Sequence, residues 1–151
     1  MAGRGYFGIG IYSPKTSENV GTLLRSAQAF GADFTFVIGT RGTHRQPSNT
    51  TKSWRHVPHY EYADIESFRR SMPLEHTLIA IETGGDLIDG FEHPERAVYL
   101  LGSEDAGLPA ELLDLAEYVI TIPADYCLNV AVAGSITLYD RRVKQLTAVA
   151  S

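Results

Sequence analysis

Residues 6–12 read Tyr-Phe-Gly-Ile-Gly-Ile-Tyr and residues 34–38 read Phe-Thr-Phe-Val-Ile, with a stretch of helical spacing between them. The first run is a buried strand with close backbone approaches at Gly8 and Gly10. Ser17 can cap the helix that follows. Val20, Leu23, Leu24, Ala27 and Phe30 then share one stripe, and Gly31 is a natural stop. Strand, helix and strand at this spacing form a βαβ unit, so an α/β fold with a mainly parallel sheet is expected.

Outward from that unit, residues 40–58 carry turn residues and charges without periodicity, as a functional or mobile loop does. A short helix is expected at 64–71, ended by Pro73. Strands are expected at 77–82, 97–101 and 118–122, and Pro109 can open a helix reaching 117. The last helix, 129–146, has Val130, Val132, Ala133, Ile136, Leu138, Tyr139 and Val143 around much of its circumference. It should be largely buried, against its own sheet and against a partner subunit.

At 151 residues the chain fits a single domain, 1–151, with 44% hydrophobic and 21% charged residues. Apolar runs are strand-sized, as at 97–101, and too short to cross a bilayer. The first residues lack the apolar region of a secretory signal, and the single cysteine, Cys127, fits a reducing compartment. A cytoplasmic location is the expectation. The net charge of −5 argues against gripping nucleic acid by bulk electrostatics. Any RNA-facing patch must be local. Arg41, His44, Arg45, Lys52, Arg55, His56 and His59 supply one, uninterrupted by Asp or Glu, although composition alone makes it a solvated basic loop.

Gly3-Arg4-Gly5-Tyr6-Phe7-Gly8 matches a dinucleotide fingerprint in spelling, but it leads into a strand rather than following one, so it is rejected. Asn49-Thr50-Thr51 carries no weight without a secretory signal. His56 and His59 have no Cys or acidic cluster beside them, so no metal site is expected. Arg25 lies opposite the apolar stripe of the first helix, with Asn19 and Gly21 near a helix start that can meet an anion. Two loops follow strand ends, where α/β enzymes place ligands. One is 101–108, with Glu104 between Gly102 and Gly107; the other is 122–129, which delivers Asn129 to the last helix. Singly, Glu104 reads as a turn acid and Asn129 as a helix cap.

Asn19-x-Gly21-x-x-x-Arg25-x-Ala27, Leu101-Gly102-x-Glu104-x-x-Gly107-Leu108 and Leu128-Asn129-Val130-Ala131-Val132-Ala133 occur here in one order. Together they resemble the three motifs of the SpoU/TrmH branch of the SPOUT RNA methyltransferases, over residues 7–141. The resemblance implies a C-terminal deep trefoil knot, a homodimer with its active site at the subunit interface, and methyl transfer from S-adenosylmethionine to an RNA ribose 2′-hydroxyl. No metal is implied. Matched positions place the cofactor against Thr83, Gly102, Ile122, Cys127, Leu128 and Ala131. They give Arg25 the attacking hydroxyl and a neighbouring phosphate to orient, since a free guanidinium is a poor base. Asn19 would position Arg25 or the ribose, while Glu104 and Asn129 would shape the site.

Relatives usually have Ser where this chain has Cys127, a weaker hydrogen-bonding group. The short chain looks like a minimal member without an added RNA-binding domain. Bulk tRNA is the favoured substrate and rRNA the other, with Arg41, Arg45, Lys52 and Arg55 facing RNA. The competing readings are a non-catalytic RNA-binding or dimerisation module of the same fold, and a small α/β enzyme using a nucleotide or flavin.

Overall fold

In strand β1 (Tyr6–Tyr12), Phe7, Ile9 and Ile11 point to one side of the sheet and are buried. On the other side Gly8 and Gly10 leave room for two rings of the neighbouring strand. A Cβ at Gly8 would lie 2.2 Å from the Phe34 ring and one at Gly10 2.4 Å from the Phe36 ring. The alternation that marked this strand therefore also fixes which partner it can take.

The computed structural model describes residues 5–39 and 56–150. In chain order the elements are β1, α1 (Ser17–Ala29), β2 (Phe34–Ile38), β3 (His59–Tyr62), α2 (Ile65–Ser71) and β4 (Thr77–Leu87). A 3₁₀ turn (Ile88–Gly90) follows, then β5 (Arg96–Leu101), α3 (Ala110–Leu115), β6 (Tyr118–Thr121) and α4 (Val130–Ala150). Six strands form one sheet in the order β3-β2-β1-β5-β4-β6, and every pairing is parallel. Helices α1 and α4 cover the Phe7/Ile9/Ile11 face. Phe68 of α2 and Leu112 of α3 cover the other, with Phe34, Phe36, Leu78, Val98 and Leu100. Among the described residues no helix is long and apolar enough to cross a membrane.

Helix α1 ends as its sequence promises. Gly31 takes φ +77°, its N–H reaches Gln28 O at 3.2 Å, and Ala32 N–H reaches Ala27 O at 2.9 Å. This is the paired C-terminal closure that a left-handed glycine permits. At the other end Thr16 is the cap, its Oγ1 accepting from Asn19 N, and Ser17 is the first helical residue instead. Asp64 caps α2 through Ser67 N at 2.8 Å.

Two elements depart from expectation. Strand β3 extends the sheet where no element was foreseen, between the 40–58 loop and the helix at 64. Its four residues, His-Tyr-Glu-Tyr, are too few and too polar to show a period, and pairing with β2 decides their conformation. Strand β4 runs on to Leu87 because its register against β6 shifts between Ile81 and Asp86, across Gly84 and Gly85. Helix α4 buries one face only. Val130, Ala131, Leu138 and Arg141 are buried, and Gly134 packs closely enough on Leu23 that a Cβ would lie 2.5 Å from it. Val132, Tyr139, Val143 and Leu146 form an open apolar stripe with steps of seven, four and three residues.

A polar chain fastens α4 to the end of the sheet away from the strands' carboxyl ends. Asp140 takes bonds from His93 Nε2 (2.7 Å) and Lys144 Nζ (2.8 Å), and His93 Nδ1 lies 2.7 Å from Tyr99 Oη. Arg141 Nη1 donates to Tyr99 Oη at 3.0 Å. Since the carboxylate only accepts, His93 Nε2 carries the proton and Nδ1 accepts from the Tyr99 hydroxyl. Burial pushes that hydroxyl up to about 12, keeping it a donor.

Burial also holds His93 below the usual 6.5, outweighing the pull of Asp140, and it lowers His59 likewise. Both rings take up a proton more readily in the unfolded chain. Their contribution to stability is intact above pH 6.5 and is lost as pH falls from there through the lowered folded values. Denaturant midpoints should drop between about pH 7.5 and 5, and His93→Gln should make that drop shallower. An unchanged slope in the variant would remove His93 from the account.

Candidate active site

The connections leaving β1, β5 and β6 converge beyond the carboxyl ends of the sheet. The Thr16 cap starts α1 so that Asn19 stands in its first turn. Asn129 Oδ1 accepts from Ala131 N (2.9 Å) and Val132 N (3.2 Å), which caps α4. With its oxygen so used, the amide nitrogen must donate away from the helix. It does so to Asn19 Oδ1 at 2.9 Å and Glu104 Oε1 at 3.0 Å. Asn19 Nδ2 closes the ring on Glu104 Oε1 at 2.8 Å. Asn129 is thus both the simple cap and a member of the site. One residue from each of three separated segments meets here.

Arg25 does not join this ring. It sits half-buried on α1 and has no hydrogen-bond or ion-pair partner among the described residues. On a helical projection it lies about 120° from Asn19 and on the side away from the core.

Beside the ring opens a cavity of about 820 Å³, within the range of small-molecule sites. Thr83, Gly102, Ile122, Cys127 and Leu128 all line it, together with Glu104. Ala131 is not part of this lining; it is buried in the core on the inner face of α4. Cys127 is an exposed free thiol on the rim. Gly102 is required by close approach, because a Cβ there would lie 2.3 Å from the Gly107 backbone. The four basic residues assigned to RNA (Arg41, Arg45, Lys52 and Arg55) lie outside the described residues. Among the described residues no group of three His, Cys, Asp or Glu side chains could hold a metal ion.

Two residues that hold the cavity walls were not foreseen. Glu82 accepts from Thr83 N (3.0 Å) through one oxygen and from Leu108 N (2.9 Å) through the other, tying the end of the 102–108 loop to β4. Thr121 Oγ1 donates to Glu82 O (2.6 Å) and accepts from Gly85 N (2.7 Å), bridging β4 and β6 where their register shifts. A carboxylate ending a strand of apolar residues was the available signal for Glu82. Thr121 offered none.

Fold and site together define an α/β protein with a cavity at the carboxyl ends of its parallel strands, where such sheets take their ligands. The SpoU rRNA Methylase family matches residues 7–139, and the chain belongs to that family. It is 28% identical over 139 residues to the tRNA (cytidine(34)-2′-O)-methyltransferase of Ancylobacter novellus, covering 86% of this chain and 87% of the relative. The solved SpoU methyltransferase AviRb of Streptomyces viridochromogenes superposes with a TM-score of 0.84 at 25% identity, over 95% of this chain and 61% of that one. An AdoMet-bound rRNA methyltransferase of Sinorhizobium meliloti gives 0.83 at 26% identity, over 95% and 58%. The chain thus spans about 60% of these two solved proteins.

Proposed function

We propose that this chain transfers a methyl group from S-adenosylmethionine to a ribose 2′-hydroxyl of RNA, with tRNA favoured over rRNA. The observation that carries this reading is the ring of Asn19, Glu104 and Asn129 at the edge of a cavity in a SpoU-family chain. The relative of matching length acts on tRNA by its name, which favours tRNA, and it supports a single domain over 1–151.

The cavity fits the cofactor. Its lining includes Ile81, Leu101, Leu108, Ile122 and Leu128, suited to an adenine, while Glu82, Glu104 and Asp125 suit cationic groups. Ser103, 4% exposed and part of the lining, has a buried hydroxyl with no partner among the described residues. A polar ligand atom would relieve that cost. When bound, S-adenosylmethionine would supply a sulfonium-activated methyl that passes in line to the ribose oxygen as the S–CH3 bond breaks, S-adenosylhomocysteine leaving and the hydroxyl proton going to water. Thr83, Gly102, Ile122, Cys127 and Leu128 hold the cofactor, Ala131 acting only through the core beneath them. Asn19, Glu104 and Asn129 fix the loops around the reacting atoms, so catalysis comes from positioning. Arg25, a half-buried charge without a partner among the described residues, orients the ribose and its phosphate. Arg41, Arg45, Lys52 and Arg55 track the RNA backbone; reversing two of these charges should weaken RNA binding and flatten its salt dependence while leaving cofactor affinity alone.

The test is transfer of labelled methyl into tRNA and rRNA by wild type and Arg25→Ala, with the product nucleoside identified. A 2′-O-methyl nucleoside is expected, with the variant slower by about 100-fold or more. Failure to bind S-adenosylmethionine would instead support the non-catalytic module.

The chain is also a homodimer through the open stripe of α4, since four exposed apolar residues in a row need a cover. Wild type should sediment at twice the chain mass and Tyr139→Glu at the chain mass; a monomeric wild type would end this reading. The segment from β4 to α4 is threaded as a trefoil knot. Support comes from the Glu82 tie to Leu108 and from the close packing of Gly102 on Gly107. An experimental backbone trace through 82–130 tests it.

A further inference from the structure

Charge does not solve recognition at the rim of this cavity. The charged residues of its lining are Glu82, Glu104 and Asp125, and no lysine or arginine is among the described residues that form it. An RNA strand brought here meets carboxylates, so the cavity lining itself offers the phosphates no cation. Beside the phosphate contact assigned to Arg25, the base needs a group that attracts it without a positive charge.

The lining contains one aromatic residue among those described, Tyr126, and it is 87% exposed. Tyr139, also well exposed at 59%, at least rests its ring against Phe30, 6.2 Å between centroids. Tyr126 has no ring contact among the described residues, and its neighbours along 123–127 are exposed as well. It stands three residues before Asn129, so one loop delivers both the ring and the Asn129 amide to the same mouth.

We propose that Tyr126 is the stacking platform for the nucleobase of the nucleotide being methylated, an inference that rests on the function proposed above. A ribose can reach the ring of Asn19, Glu104 and Asn129 only if its nucleotide leaves the helical stack, as in an RNA loop. The base so released has two bare faces. A tyrosine ring takes either of them, whatever the base, and does so without a cation. The acidic rim then repels misplaced backbone, while stacking seats the correct nucleotide.

The experiment measures methyl transfer to bulk tRNA and to rRNA by wild type, Tyr126→Ala, Tyr126→Leu and Tyr126→Phe. Titration with S-adenosylmethionine and sedimentation accompany each variant. Tyr126→Ala and Tyr126→Leu should raise KM for RNA by roughly 5- to 100-fold, while Tyr126→Phe stays within about threefold of wild type. Cofactor affinity and mass should not change. Leucine performing as well as phenylalanine would overturn stacking in favour of simple apolar filling. Weakened cofactor binding would make Tyr126 a cover for the cofactor, and a changed mass would make it an interface residue. Active wild type with unaltered KM in the alanine variant defeats this inference alone. Wild type inactive on both RNAs defeats the proposed function, and the inference with it.

Discussion

Arg141→Ala is expected to lower the unfolding free energy by about 3–5 kcal/mol, measured by urea denaturation at neutral pH. Arg141 is 1% exposed and sits on the inner face of α4. Its Nη1 donates to Pro94 O at 2.7 Å and to Tyr99 Oη at 3.0 Å, and Nη2 donates to Glu95 O at 3.0 Å. The guanidinium carbon lies 4.3 Å from the centroid of Phe7. Alanine removes all of these and leaves a void. Glu95 O keeps the bond from Tyr6 N at 3.0 Å, so the orphans are Pro94 O and part of the demand of Tyr99. Each buried orphan costs about 1–3 kcal/mol, and the void adds to it. Arg141→Lys should recover only part of the loss, because one ammonium cannot serve three acceptors in a fork. A loss below about 1 kcal/mol for alanine would show that α4 is held by its apolar contacts alone.

This clamp shows where sequence reasoning stops. Strand β1, helix α1 with its Gly31 stop, and strand β2 were legible because each obeys a local period or a local cap. Helix α4 was legible as a helix, yet its faces were not. Arginine at 141 gave no sign that it would be buried, and the apolar residues around the helix did not show which of them the sheet covers: Leu138 is buried and Tyr139 is exposed. The partners of Arg141 lie more than forty residues away and are mostly backbone oxygens, which carry no residue-type signature. Glu82 and Thr121 escaped notice for the same reason, their bonds running to backbone atoms of other segments. Asn19, Glu104 and Asn129 stood out singly only as weak signals, at a helix start and in loops after strand ends, and the resemblance of three motifs to a known set joined them. No spacing rule brings positions 110 residues apart to 2.9 Å. Arg25 was named by the same route, and the described residues leave it apart from the ring.

Asn129→Ala should reduce methyl transfer by about 100- to 1,000-fold, the scale of losing precise positioning in a site that works by orientation. The substitution does two things at once, so it needs a partner. It removes the cap of α4, worth about 1 kcal/mol, and it opens the ring to Asn19 and Glu104. Asn129→Asp separates the two. An aspartate oxygen still accepts from Ala131 N and Val132 N, and its charge suits a helix N-terminus, so stability should stay near that of wild type. It has no N–H to give, however, and it sets a second carboxylate against Glu104 Oε1, where Asn129 Nδ2 now lies at 3.0 Å. The ring must open by repulsion. Transfer by Asn129→Asp should therefore fall as far as by Asn129→Ala while its denaturation midpoint holds. If Asn129→Asp keeps its rate, the donor to Glu104 is dispensable and Asn129 is only a cap. If both variants lose stability and rate in step, helix integrity rather than the ring accounts for the loss.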